Sequence, residues 1–180
     1  LLMRLFDPPA ATIFWGGADI RDLPLAGLRG AVAYVPQDSF LFSDTLRENI
    51  AFARPGASDA EVEQAARLAE IHDEIMALPQ GYDAVLGEKG GTLSGGQRQR
   101  VALARALLAG RPALLLDDAL SAVDTDTEQR ILANLARLVA EDGRTLVTIS
   151  HRLAAVMDAN RIYVLDEGRV TQEGTHQELI

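Results

Sequence analysis

Cysteine is absent from this 180-residue sequence, and only one of its 17 basic residues is a lysine, Lys89. The absence of cysteine excludes disulfide frameworks and thiolate metal sites. No apolar run approaches the roughly 18 residues of a membrane span, and the amino terminus lacks the residue order of a secretory signal. The 26 acidic residues give a formal net charge of −9. This charge argues against broad binding to nucleic acid, although backbone amides can still hold a phosphate at one local site.

Hydrophobic residues make up 48% of the chain. This content and length predict one folded domain with a real core and room for an inserted subdomain. The sequence begins at Leu1 rather than at a methionine, and it ends within a helical pattern at residues 178–180. We therefore expect it to be a fragment or a processed piece of a longer protein.

Strand and helix patterns alternate along the chain. Strands are predicted at residues 11–15, 31–35, 113–117 and 146–149, and the last two are apolar in the way of strands buried in a parallel sheet. Helices are predicted at residues 45–52, 58–69, 71–78, 94–109 and 127–140, with a helix tail at residues 1–6. Turn signals predict a hairpin around residues 166–168, and capping-box spacing predicts a last helix from Thr175. This order indicates an α/β fold with a parallel sheet.

The long stretch between the second and third predicted strands is mostly helical. We interpret residues 38–110 as a helical subdomain inserted into a core formed by residues 1–37 and 111–180.

The first candidate site is the signature segment, Leu93-Ser94-Gly95-Gly96-Gln97, at a predicted helix start. Two glycines let the backbone approach a ligand closely, and the free amides and the helix dipole favour a phosphate. The Ser94 hydroxyl suits either a helix cap or a hydrogen bond to a phosphate oxygen.

The other candidates follow predicted strands. Asp117 and Asp118 end the apolar strand at 113–117, where α/β folds place ligands. One carboxylate can position Mg²⁺ and its waters while the next orients or deprotonates an attacking water, although a solvated turn has the same pattern. His151 follows a strand and could donate a hydrogen bond to a γ-phosphate. A lone histidine, however, is more often a surface or core residue without a functional role. Gln37 also follows a strand, and by itself it would indicate no function.

Taken in order, these motifs resemble the nucleotide-binding domain of ATP-binding-cassette (ABC) transporters over essentially the whole chain. The signature segment lies about 20 residues before the acidic strand end, which is highly specific. Residues 121–124 look like the D-loop of the family. Residues 87–91 look like the exporter loop that senses the membrane domain, and residues 174–179 resemble the usual end of exporter-type domains. The resemblance implies a P-loop NTPase (RecA-like) core with an inserted helical subdomain.

The resemblance also implies roles for the site residues in ATP and Mg²⁺ binding. Gln37 would contact Mg²⁺ and the attacking water, Asp117 would hold Mg²⁺ largely through water, and His151 would be the switch histidine. The signature segment, with Ser94, Gly95, Gly96 and Gln97, would bind the γ-phosphate of ATP held by a partner domain. Two domains would sandwich two ATP molecules, with Asp124 crossing the dimer interface. Residues 38–52 would form the groove that receives coupling helices, at the cytoplasmic face of the cell's inner membrane.

Two features depart from the family pattern. No Gly-x-x-x-x-Gly-Lys-Ser/Thr phosphate loop occurs in these residues, and the family places this loop and a core strand shortly before Leu1. We therefore expect weak Mg-ATP binding by the chain alone. We also expect exposed apolar faces on the strands at 113–116 and 146–149.

The second departure is Asp118, where the family usually has the hydrolytic glutamate. Aspartate is one methylene shorter, which pulls the carboxylate back by about 1.5 Å. A misplacement of about 1 Å can cost roughly 10²-fold in rate. Heterodimeric exporters resemble this pattern, with a degenerate site in one subunit and an intact signature that serves the partner. A homodimer that tolerates aspartate is the alternative.

The leading hypothesis is therefore an ATPase subunit that powers an exporter. A nucleotide-binding regulatory half that does not hydrolyse ATP usefully is a second interpretation, and an inactive gene fragment is a third.

Overall fold

The computed structural model describes residues 1–87 and 93–180. Its elements, in chain order, are β1 (Phe14–Trp15), β2 (Ala18–Asp19), α1 (Leu25–Ala31), β3 (Val32–Val35), α2 (Leu46–Ala51), α3 (Asp59–Leu68), α4 (His72–Met76), α5 (Gly95–Leu108), β4 (Ala113–Asp117), α6 (Thr125–Asp142), β5 (Thr145–Ile149), β6 (Ile162–Asp166), β7 (Arg169–Gly174) and α7 (His176–Leu179). Short 3₁₀ turns lie at Gly81–Asp83 and Leu153–Ala155. The alternation confirms the predicted α/β fold.

A parallel sheet with the order β3-β4-β5 is the centre of the molecule. Val35 is opposite Leu116, and Asp117 is opposite Ile149, so all three strands end at the same edge of the sheet. Because the strands are parallel, residues that follow β3, β4 and β5 are brought together at that edge.

The two apolar strands differ in burial. All four residues of β4 from Ala113 to Leu116 are buried, so the expected exposure of this strand is wrong. One face of β4 packs into the main core through Leu114 and Leu116, and the other packs beneath Met3 and Trp15.

β5 does show the expected exposure, on alternate residues. Val147 and Ile149 are 42% and 51% exposed, while Leu146 packs against the core. β5 is the last strand of the sheet among the described residues, so nothing described pairs with its outer edge.

Three of the helices begin at the caps that the sequence predicts. Ser58 and Glu61 form a capping box at α3, as do Ser94 and Gln97 at α5 and Thr175 and Glu178 at α7. The β6–β7 hairpin is also confirmed.

One hydrophobic core joins the sheet to the helices that lie between β3 and β4. Ile50, Val62 and Leu103 belong to the same cluster as Val35 and Leu116. The division into a core and an inserted subdomain at residues 38–110 stays a prediction.

The amino-terminal segment differs from its prediction. Residues 1–6 form turns rather than a helix tail, and Arg4 has a left-handed backbone with φ of 46°. A six-residue helix is marginal by itself, and the Arg29 guanidinium instead binds the carbonyls of Met3 and Arg4. The strand predicted at 11–15 is reduced to Phe14–Trp15, since Ala11 is also left-handed.

Most of the loop predicted to sense the membrane domain, residues 87–91, lies outside the described residues, which include only its Gly87. Across residues 1–87 and 93–180, none of the helices combines the length and the apolar character needed to cross a bilayer.

Candidate functional site

The sheet edge brings together Gln37, Asp118 and His151, which follow three neighbouring strands. Gln37 Nε2 donates a hydrogen bond to Asp118 Oδ2 at 3.3 Å. His151 Nδ1 lies 3.2 Å from Asp118 Oδ1. The Asp118 carboxylate is therefore the centre of this strand-end site, with the amide on one side and the imidazole on the other.

The backbone of Asp118 is in the left-handed region, with φ of 47°. Its N–H donates to the Ile149 carbonyl at 2.8 Å, and its own carbonyl accepts from Ser121 Oγ at 2.9 Å. Left-handed backbone is costly for most residues but less so for aspartate. The turn therefore aims the carboxylate back across the ends of the strands.

Asp117 has a different partner. Tyr34 Oη donates to Asp117 Oδ2 at 3.0 Å, and Gln37 binds Asp118 rather than Asp117. Burial, followed by the hydrogen bond to Asp117, raises the pKa of Tyr34 above its usual 10.0. The phenol therefore stays protonated and remains a donor at neutral pH. Sequence reasoning missed Tyr34, whose signal was a single polar aromatic residue within the apolar strand at 31–35.

The signature segment forms the start of α5. Ser94 Oγ accepts from the Gln97 N–H at 3.2 Å, and Gln97 Oε1 accepts from the Ser94 N–H at 2.8 Å. The helix-cap interpretation of Ser94 is therefore confirmed. The cap uses the hydroxyl oxygen as an acceptor, so its proton can still be donated to an exposed ligand.

Gly96 lies against the backbone of the loop that follows β4. A Cβ at this position would be 2.6 Å from the Ala122 carbonyl oxygen, whereas at Gly95 the nearest atom would be the Ala122 Cβ at 3.3 Å. The approach is so close that only glycine fits at position 96 without a shift of the backbone.

Gln99 joins the same two segments by hydrogen bonds. Its Nε2 donates to Ser121 Oγ at 3.1 Å, and its Oε1 accepts from the Ala122 N–H at 3.0 Å. The helix start and the 118–124 loop are thus held in one arrangement. Gln99 was also missed, because a buried glutamine inside a helix has no distinctive sequence pattern.

Glu74 completes the surroundings of the signature segment. Its Oε2 accepts from Gln97 Nε2 at 2.7 Å, and its Oε1 pairs with Arg100 at 2.7 Å. Gln97 therefore has both ends of its amide engaged within the chain. The sequence pattern contained no signal for Glu74, which lies 23 residues from Gln97.

Asp124 caps α6, where its Oδ1 accepts from the Thr127 N–H at 3.0 Å. This hydrogen bond lowers the pKa of the Asp124 carboxyl below its usual 3.8. The side chain is exposed, and its predicted place across a dimer interface stays a prediction.

The chemistry of the strand-end site suits Mg²⁺. Carboxylate and amide oxygens are ligands that Mg²⁺ accepts, and it usually takes one or two carboxylates together with waters and substrate phosphates. Within the described residues there is no cluster of three or more histidine and carboxylate side chains that could cage a metal. Asp117 and Gln37 are therefore suited to an open Mg²⁺ site that waters and a phosphate ligand would complete.

A family model described as "ABC transporter" matches residues 1–121 of the chain. The chain is 50% identical over its whole length to an ATM1-type heavy metal exporter of Novosphingobium aromaticivorans, of which it covers 29%. It is 46% identical to an ATP-dependent lipid A-core flippase of Syntrophus aciditrophicus, again over its whole length, covering 30% of that protein.

A similar fold occurs in a solved structure of a bacterial Atm1-family ABC exporter with ATP bound. The TM-score is 0.94 at 48% sequence identity, over 99% of this chain and 31% of that one. The chain therefore spans less than a third of the length of each of these three proteins.

Proposed function

Because the chain belongs to the ABC transporter family and has the fold of an exporter nucleotide-binding domain, we propose that it binds and hydrolyses ATP to drive export across a membrane. The observation that supports this most is the meeting of Gln37, Asp118 and His151 at the sheet edge. An amide, a carboxylate and an imidazole side by side are the groups needed to orient a water and a phosphate.

Each strand-end residue then has a role of its own. Asp117 and Gln37 would hold Mg²⁺, which when bound neutralises charge on the phosphates. Asp118 orients the attacking water and accepts its proton, and His151 donates a hydrogen bond to the γ-phosphate. Tyr34 keeps the Asp117 carboxylate in place through its hydrogen bond.

The signature segment serves a second domain. Ser94, Gly95 and Gly96 present a hydroxyl and free helix-start amides to the γ-phosphate held by that partner, and Gln97 keeps the segment in shape. Asp124 lies in the same contact. These 180 residues contain no phosphate loop. We therefore expect the chain alone to bind Mg-ATP weakly, and we assign hydrolysis to the complete exporter, in which two nucleotide-binding domains pair.

An aromatic cluster supports docking of a membrane domain. The ring of Phe42 packs against Phe40 and Phe52 at centroid distances of 5.1 Å and 4.3 Å. Phe40 and Phe52 are more than half exposed. This surface, within residues 38–52, would receive the coupling helices at the cytoplasmic face of the cell's inner membrane.

Two matched serines test the proposed function. Ser94 and Ser58 cap their helices in the same way, so each change to alanine costs about 1 kcal/mol of stability. Only Ser94→Ala removes a hydroxyl from the phosphate, which lowers ATP turnover of the exporter roughly tenfold to hundredfold. Equal turnover in the two variants, measured by phosphate release, would contradict the assignment.

Asp118 supports the further proposal that this domain is the degenerate-site half of a heterodimer. The shorter carboxylate makes its own site slow, while the intact signature serves the active site of the partner. Asp118→Glu should then raise single-site turnover, and Asp118→Asn should change total turnover far less than Ser94→Ala does. If Asp118→Asn abolishes turnover and Asp118→Glu brings no gain, the homodimer is correct.

A regulatory half that binds ATP without useful hydrolysis is the second candidate, and Asp118 again supports it. Turnover at this single site separates the two, since the regulatory half stays inactive even with Asp118→Glu. The inactive fragment is excluded if the coding DNA upstream of Leu1 reads in frame into a phosphate loop.

A further inference from the structure

Arg152, the residue after His151, binds three oxygens of neighbouring segments through one nitrogen. Its Nη1 lies 3.2 Å from the carbonyl oxygens of Leu120 and Val123 and 2.7 Å from Glu128 Oε2. The two carbonyls belong to the 118–124 loop, and Glu128 belongs to α6. A single guanidinium thus ties the loop after β5 to the loop after β4 and to the helix that follows it.

Glu128 makes this tie difficult to release. It is 1% exposed, and it is the one buried carboxylate among residues 1–87 and 93–180. Its Oε1 has no hydrogen-bond partner in that part of the chain. A buried carboxylate that loses its cation is strongly destabilised, so any movement of Arg152 away from Glu128 is costly.

The two loops also meet on their other side. His151 contacts Asp118 at 3.2 Å, and Asp118 begins the loop whose carbonyls Arg152 holds. Gln99 binds Ser121 and Ala122 in the middle of that loop, next to the signature segment. The loop after β5 (residues 150–156, the His151 loop), the 118–124 loop and the start of α5 are therefore linked by consecutive contacts.

We propose that Arg152, held by Glu128, is a positioning residue that makes the His151 loop and the 118–124 loop move as one unit. The inference rests on the proposed function for its effect on ATP hydrolysis. Arg152 acts through His151 and Asp118. Its loss therefore lowers kcat and leaves KM for ATP unchanged, because an interaction that orders the reacting groups matters in the transition state.

The kinetic test compares variants of the full exporter. Measured as single-site turnover at this domain's own strand-end site, Arg152→Ala should lower kcat about tenfold at constant KM, and Arg152→Lys should restore part of it because the charge is kept. The control is Arg161→Ala, which breaks an arginine–glutamate pair with Glu173 on the exposed β6–β7 hairpin. Arg161→Ala should leave kcat unchanged. The double variant Arg152→Ala/Glu128→Gln should be no slower than Arg152→Ala alone, because the two substitutions break the same ion pair.

Hydrogen exchange on the full exporter tests the link without ATP. In Arg152→Ala, amides of residues 118–124 and 150–156 should exchange faster together, while those of α5 keep their protection. If α5 also loses its protection, Arg152→Ala has disturbed the wider fold, and the milder Arg152→Lys and Glu128→Gln variants are used in its place. If the wild-type exporter does not hydrolyse ATP, the proposed function is wrong. The hydrogen-exchange result then decides by itself whether Arg152 links the two loops.

Three results would overturn the inference. They are an unchanged kcat, a rise in KM that accounts for the loss of activity, and faster exchange confined to residues 150–156.

Discussion

The signature segment and the strand-end site differ in how far apart in sequence their contacts are. Ser94 and Gln97, which are three residues apart, form two hydrogen bonds with each other. Gln37 and Asp118 are 81 residues apart, and Tyr34 and Asp117 are 83 apart. The first site therefore follows from one helix start, whereas the second exists only when three strands pair in the right order.

The two sites also differ in what stabilises them. Gly96 is buried against the backbone of Ala122, so packing fixes the signature segment. The His151 side chain is 72% exposed, so its contact with Asp118 is a surface interaction that contributes little to stability. Changes of volume should therefore break the signature segment, and changes of backbone preference should affect the strand-end site.

Gly96→Ala is the largest expected effect. The added methyl would meet the Ala122 carbonyl oxygen at 2.6 Å. Overpacking, partly offset by the better helix propensity of alanine, should cost about 1–2 kcal/mol in urea unfolding. Gly95→Ala is the control, with its nearest contact at 3.3 Å, and should be close to neutral. Equal losses at the two glycines would show that packing does not separate the two regions.

A paired substitution at Asp118 isolates the backbone of the strand-end site. Alanine and glycine both remove the carboxylate, but only glycine accepts φ of 47° without strain. Asp118→Gly should therefore be about 1 kcal/mol more stable than Asp118→Ala. At Asp117, which lies within β4, the order should reverse by roughly 0.5–1 kcal/mol, because glycine weakens a strand. The same order at both positions would argue against a strained turn.

The smallest expected effect concerns acid stability and Asp124. The hydrogen bond from Thr127 lowers the pKa of this carboxyl below 3.8 in the folded chain. Its stabilisation is therefore present above about pH 4 and lost as the pH falls through the folded pKa. Asp124→Asn keeps a neutral cap that does not titrate. In thermal melts from pH 6 to pH 3, Tm should fall further in the wild type than in Asp124→Asn.

The other carboxyls with lowered pKa values, those of Asp19, Glu61 and Glu178, titrate in both proteins and cancel in the difference. Parallel curves for the two proteins would mean that the charge of the Asp124 cap adds nothing.

Much of the fold could be predicted from local patterns. β3, β4, the capped helices and the β6–β7 hairpin lie close to where the sequence places them. Residues 1–6 could not be predicted, because long-range hydrogen bonds from Arg29 compete there with a short helix. The complete burial of β4 was also missed, since it depends on Met3 and Trp15, which are distant in sequence.

The candidate site divides in the same way. Its residues were found from motif order, but Tyr34, Glu74 and Arg152 were not, since each acts through a side chain that reaches a distant segment. No periodicity or spacing encodes such a contact.

By itself, the sequence determined the features that depend on neighbouring residues, which are the strands, the caps and the glycines of the signature segment. Only the tertiary structure decided that Asp118 is the centre of the strand-end site and that Arg152 ties two loops together. The physical reason is that capping bonds close within one helical turn. Contacts between strand ends, in contrast, require the order and register of a parallel sheet.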